Sequence, residues 1–303
     1  MGGRQSTPAV TLSIGLPNFG GWAGGDWRAL VDTAVAAEAA GAHRVIVTDH
    51  VVMGGDTSAY HWGRFPTAPD GPWLEPLTVL SAIASATSRV RLATGILIAG
   101  LRPVPVLAKT VATLDALSGG RVDLGVGVGW QQAEYDASGL DFATRGRRLD
   151  ETIAGCRALW SQSPASYRSA TISFDGVYCW PQPAQPRLPV WFAGTLNERN
   201  LRRIVDLGDG WIPIMGSTLD DVRAGAARLR QACDRAVGVQ ATLPIRRDSA
   251  SNVDLAATVD QAPEWAAAGA TDLYVNVAAI AGSPDAAPDA LHELVTRFTK
   301  VTG

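Results

Sequence analysis

Gly125, Gly127 and Gly129 stand at alternate positions in RVDLGVGVGW (121–130), directly before Trp130. Glycines so spaced can serve two chemistries. They can open the G-x-G-x-x-G turn that receives a dinucleotide pyrophosphate at a helix N-terminus. Alternatively they can end a barrel strand, where the missing Cβ lets a flat ligand lie against backbone. The first reading fails on spacing, because the sixth position is Trp130 counted from Gly125 and Gln132 counted from Gly127. The second stands, beside the plainer reading that the glycines only relieve crowding inside a barrel. Other chemistries fail for want of residues. There are four histidines and no HxH or HExxH pair, so metal-dependent hydrolysis lacks its ligands. Cys156, Cys179 and Cys233 are far apart without CxxC spacing and read as reduced bystanders. Lys109, in an amphipathic helical run, and Lys300, near the end, are poor Schiff-base candidates.

The elements that must position such residues form a regular series. Apolar, β-branched runs at 10–17, 44–50, 90–98, 122–130, 189–194, 210–215, 241–246 and 271–277 predict eight strands. Between them, WRALVDTAVAAEAAG, PLTVLSAIASATS, VPVLAKTVATLDALSGG and DDVRAGAARLRQACDRA carry apolar residues at helical spacing. Gly41, Gly119 with Gly120, Gly208 and Gly269 follow helices as expected left-handed stops. Strands without polar alternation suit a parallel sheet buried on both faces, and eight such units predict a (β/α)8 TIM barrel of the α/β class. One domain, 1–303, is expected, with insertion loops at about 51–74 and 163–188. Both insertions are rich in Pro, Gly and aromatics, as lids and binding walls are, and the first follows a strand toward the catalytic face.

The 303 residues are 47% hydrophobic, with a net charge of −3 and no block of like charge, which disfavours a nucleic-acid or membrane partner. The first twenty residues hold no apolar core of signal-peptide length, and no later run is long enough to span a bilayer. A cytoplasmic protein is expected.

The run TGILIAGLRPVPVLAKTVATLDALSGGRVDLGVGVGWQQAE (94–134) occurs with TDH (48–50), RGRRLDE (145–151), FDG (174–176) and GDGW (208–211). Together these motifs resemble the bacterial-luciferase-like flavin and deazaflavin oxidoreductases, particularly the branch that uses coenzyme F420. The resemblance covers most of the chain. It implies a cofactor ring at the C-terminal mouth of the barrel, with Asp49 and His50 beside its reactive carbon. It further implies a cis peptide between Gly95 and Ile96 behind the ring, next to Thr94, with Gly127, Gly129 and Trp130 along it. Ala193, Gly194 and Thr195 match the loop whose N–H groups hold the cofactor phosphate, and Glu134 matches a position near the site. Read without the family, Glu134 is a helix-start carboxylate and the AGT turn an ordinary strand-to-helix connection. Relatives are often homodimers, so a homodimer is implied.

On this reading His50 is the catalytic candidate, with Asp49 beside it, because an imidazole of ordinary pKa near about 6.5 can move a proton as hydride leaves or arrives. His61, Trp62, Phe65 and Trp73 are candidate substrate contacts, and Tyr60, Tyr178 and Trp180 further candidate walls. Arg64 and Arg102 are candidates for an anionic cofactor tail. Arg145, Arg147, Arg148, Asp150 and Glu151 read as helix-surface ion pairs. Family members acting on sugar phosphates use lysines on later loops, which this chain lacks, so a phosphorylated sugar is a poor substrate. The expected activity is F420-dependent hydride transfer to or from a small or medium, largely apolar organic substrate, such as an alcohol, ketone, imine or activated alkene. The alternatives are an FMN-dependent monooxygenase of the same superfamily and, in another class, a non-catalytic cofactor carrier or sensor.

Overall fold

The computed structural model describes residues 10–63 and 65–303. Arg64 lies outside them. From the N-terminus, β1 (Thr11–Gly15) leads to α1 (Arg28–Ala40), β2 (Arg44–Val47) to α2 (Pro76–Ala86), and β3 (Arg91–Thr94) to α3 (Val104–Ser118). β4 (Val122–Val126) is followed by α4 (Gln132–Ala137) and α5 (Arg145–Ser161), then by the short strands β5 (Ala165–Arg168) and β6 (Ser173–Val177). β7 (Val190–Ala193), α6 (Glu198–Leu207), β8 (Gly210–Ile212), α7 (Leu219–Ala232) and β9 (Gly238–Thr242) continue the alternation. α8 (Leu255–Val259), α9 (Ala262–Ala267), β10 (Asp272–Asn276) and α10 (Ala287–Thr302) complete it.

Eight strands close in the order β1-β10-β9-β8-β7-β4-β3-β2, every neighbouring pair parallel. This is the predicted (β/α)8 barrel. Each helix lays an apolar stripe over the strands; α1 buries Leu30, Ala34 and Ala37 at helical spacing. Gly41, Gly119 and Gly269 stop their helices at φ of 96°, 69° and 106°. Gly208 does not, having φ −95°, and is glycine for a different reason: a Cβ there would come within 2.9 Å of the Phe192 ring.

Two elements differ from the sequence expectation. β9 runs 238–242, not 241–246, because Gln240 and Thr242 break the apolar signal and Pro244 just beyond cannot donate to a ladder. The second insertion contains an antiparallel hairpin, β5–β6, that packs on α5 and contributes no residue to the cavity at the barrel mouth. Thr171 between its strands donates to Glu151, and the Tyr167 ring fills the space left by Gly155.

The lower end of the barrel is filled by charge. Arg44 pairs with Asp123 at 2.7 Å and with Asp272 at 2.9 Å, and Arg91 reaches the other oxygen of Asp123 at 2.6 Å. Ser13 and Gln240 donate to Asp272 at 2.7 and 2.6 Å, and the Arg44 guanidinium lies 5.1 Å from the Trp191 ring centre. Thr11 donates to the remaining Asp272 oxygen at 2.6 Å, so every oxygen of the two buried carboxylates is satisfied, which is what makes a charged layer tolerable inside a barrel. Among the described residues no helix is long and apolar enough to cross a membrane.

Candidate active site

All eight barrel strands, through their own residues or the loops that follow them, contribute to one cavity of about 540 Å³. Its walls are largely apolar, and Lys and Arg are absent among the described lining residues.

His50 projects from the end of β2. Its Nδ1 lies 2.9 Å from Glu134 Oε2, and the other Glu134 oxygen accepts the Val51 N–H at 2.8 Å. A carboxylate on Nδ1 places the proton there, so in neutral His50 the acceptor is Nε2. The ring is walled by Trp73, Trp130 and Phe65, whose centroids stand 4.6, 5.7 and 5.8 Å away, all edge-on. Tyr60 and Trp62 extend this aromatic wall, and the Phe19 ring stacks on Trp73 at 4.3 Å.

Several expected roles change with this geometry. Glu134 sits in α4 with 0% exposure, outside the cavity lining, where it is placed to orient His50 and not to form the cavity wall. Asp49 borders the cavity, but its carboxylate is held by Arg102 at 2.7 and 3.0 Å and by the Ile98 N–H at 2.8 Å. Asp49 is therefore a positioning residue that fixes the strand end carrying His50. Arg102 also bonds Glu75 at 3.0 Å and so serves these two acids, not an anionic tail. Burial works against its charge, and the two carboxylates outweigh burial and push its pKa up. Thr94 donates to the Gly125 carbonyl at 2.7 Å inside the barrel wall and does not reach the cavity. His61 is exposed and outside the lining, as are Tyr178 and Trp180 on the hairpin side, and Thr195 keeps its side chain outside it, leaving only its backbone N–H for the expected role. Arg64 lies outside the described residues. In the charge run of α5, Asp150 holds Arg199 and Arg203 of α6 and Glu151 meets Arg147 one turn away, whereas Arg145 and Arg148 make no ion pair among the described residues.

The glycines divide between the two readings the sequence left open. A Cβ on Gly125 would lie 2.0 Å from the Thr94 carbonyl oxygen, so this glycine relieves crowding. Gly127 and Gly129 line the cavity, where a Cβ would come within 2.9 Å of Ile96 and 3.0 Å of Ile98. With Gly95 and Ile96, whose peptide bond is cis, they make a shelf of bare backbone beside Trp130.

The shelf continues to Ala193 and Gly194 at the end of β7. Trp211 donates to the Gly194 carbonyl at 2.8 Å, and the Asn200 amide faces the carbonyls of Ala193 and Thr195 at 3.4 and 3.3 Å. With these carbonyls turned inward, the N–H groups of Thr195 and Leu196 find no acceptor among the described residues. Asn197 caps α6, so the dipole of that helix adds to the same spot. A flat shelf ending in unpaired N–H groups fits a planar, phosphorylated cofactor of the flavin or deazaflavin kind.

The floor was missed by sequence reasoning. Gln240, Thr242, Tyr274 and Asn276 from β9 and β10 line it, and burial pushes the Tyr274 hydroxyl up to about 12, keeping it a donor. Its tip occupies the space beside Gly15, where a Cβ would be 2.1 Å from the hydroxyl oxygen. The one available signal was period two, since 240 and 242, like 274 and 276, share a face of their strand.

Residues 10–299 match the family model for luciferase-like monooxygenases. An uncharacterized protein of Mycobacterium tuberculosis is 40% identical over 139 residues, 46% of this chain and 49% of that protein, so the match spans about half the relative's length. An F420-dependent glucose-6-phosphate dehydrogenase of Amycolatopsis mediterranei is 32% identical over 199 residues, 64% of this chain and 55% of the relative. Among solved structures, an EDTA monooxygenase from Chelativorans shares the fold with a TM-score of 0.77 at 13% identity, over 97% of this chain and 95% of its own. The chain belongs to the luciferase-like monooxygenase family.

Proposed function

We propose that this member of the luciferase-like family is an F420-dependent oxidoreductase that moves a hydride between the deazaflavin and a small or medium, largely apolar alcohol or ketone. The observation that carries the reading is the His50–Glu134 pair, which leaves Nε2 as the acceptor beside a bare-backbone shelf under aromatic walls. Bound F420 supplies the carbon that takes or gives the hydride. His50 Nε2 accepts the proton of a substrate hydroxyl in oxidation and returns one to a carbonyl oxygen in reduction. Glu134 holds the Nδ1–H throughout and stabilises the imidazolium. Phe65, Trp73 and Trp130 exclude water and grip the apolar part of the substrate. The F420-dependent glucose-6-phosphate dehydrogenases among the relatives support the cofactor. Their sugar phosphate does not suit a cavity whose described lining has no cationic side chain.

The second reading, an FMN-dependent monooxygenase, draws on the family's own description. Parallel fluorescence titration with F420 and FMN separates the two. Tighter F420 binding, with alcohol-dependent reduction of F420 and no oxygen uptake, is expected. Preference for FMN with oxygen consumption would replace the proposal by the monooxygenase.

A further inference from the structure

A second cavity, of about 440 Å³, lies between the start of α3, the α4–α5 connection, α5 and the tip of the β5–β6 hairpin. It shares no lining residue with the catalytic cavity. Its size is within the range of ordinary small-molecule sites, about 300–1,000 Å³.

The charges around it are unequal. Arg148 lines it with only Nε engaged, on the Gly100 carbonyl at 3.3 Å, and makes no ion pair among the described residues. Arg102, the other basic residue of the lining, is already shared by Asp49 and Glu75. Acidic side chains are absent from the described lining, and nearby Glu151 is taken up by Thr171 and Arg147. One uncompensated guanidinium therefore faces the cavity, with the hydroxyls of Thr152 and Ser173 beside it and Pro103, Pro105, Leu140 and Phe174 as apolar walls.

We propose that this cavity is a binding site for a small organic carboxylate with an apolar body. The carboxylate engages the Arg148 fork, which suits two parallel N–H···O bonds, and the apolar body lies on the proline and phenylalanine walls. A phosphate ester is the poorer ligand, because its second charge meets Arg102 only after two carboxylates have already neutralised it.

Isothermal titration of the whole chain with hexanoate, hexyl phosphate and 1-hexanol tests the site. Saturable hexanoate binding is expected, weakened about tenfold or more when the carboxylate is replaced by the alcohol or when Arg148→Met removes the fork. Ser173→Trp, on the exposed hairpin strand, fills the cavity without touching the core and gives the same loss even if Arg148→Met fails to fold. Trp130→Ala, in the catalytic cavity, leaves hexanoate binding as it was. The proposal is overturned if hexanoate and hexanol bind alike, if hexyl phosphate binds tighter, or if no saturable hexanoate binding occurs. It also falls if Trp130→Ala abolishes binding that Arg148→Met and Ser173→Trp leave intact.

Discussion

His50 reaches the cavity with one nitrogen engaged and one available, and that asymmetry separates a working imidazole from a buried structural one. Replacing it by glutamine is expected to lower turnover by about 10²- to 10⁴-fold, the usual worth of a positioned acid–base group, while cofactor titration stays unchanged. Glu134→Gln leaves a bond to Nδ1 but withdraws the charge that stabilises the imidazolium. Its expected signature is a fall in kcat larger than any change in KM. Gly127→Ala is expected to weaken cofactor binding without unfolding the chain, because the new methyl meets Ile96 at the shelf; fluorescence quenching measures it. At this scale the sequence was informative where a residue ends a strand. His50 and the glycines could be found that way, whereas Tyr274 and Gln240, inside strands, look like any polar residue on a barrel face. The partnership of Glu134 with His50, 84 positions apart, has no local trace at all.

Between elements, the connection from α2 to β3 hangs on one side chain. Glu38 in α1 accepts from the N–H groups of Ser88, Arg89 and Val90 at 3.0, 2.6 and 2.8 Å. Burial pushes this carboxyl up, but the three backbone bonds outweigh it and hold its pKa below the ordinary value. The stabilisation is thus present above the unfolded pKa of about 4.3 and fades as pH falls through the lower folded value. Glu38→Ala is expected to cost about 2 kcal/mol at neutral pH by urea denaturation, with the gap to the parent chain narrowing in acid. Eight strands were legible because each is an apolar run between helices. The start of β9 was not, since its two polar residues hide it, and the β5–β6 hairpin lacks the apolar alternation that marks a half-buried strand.

The molecule as a whole depends on the charged layer at the base of the barrel. Asp123 is driven up by burial and down, more strongly, by Arg44 and Arg91, so its carboxylate form is favoured by folding. Its contribution is complete above the unfolded value of about 3.9 and lost as pH falls through the lower folded one. Asp123→Asn leaves two arginines short of a partner and is expected to destabilise the fold by about 3–5 kcal/mol, read from thermal or urea melts at neutral pH. Barrel closure itself was legible, because eight consecutive strand–helix units admit few other arrangements. The charged layer was not, because Arg44, Asp123 and Asp272 come from three strands that read singly as apolar. That layer also shapes traffic. A vessel stoppered at one end has a single door, so a ring lying on the shelf beneath a substrate can depart only after the substrate's product has gone. For the proposed oxidoreductase the expected order of exchange is last in, first out, with cofactor entering first and leaving last. Product-inhibition patterns would show spent cofactor competing with fresh cofactor, and the organic product competing with neither the cofactor nor the organic substrate.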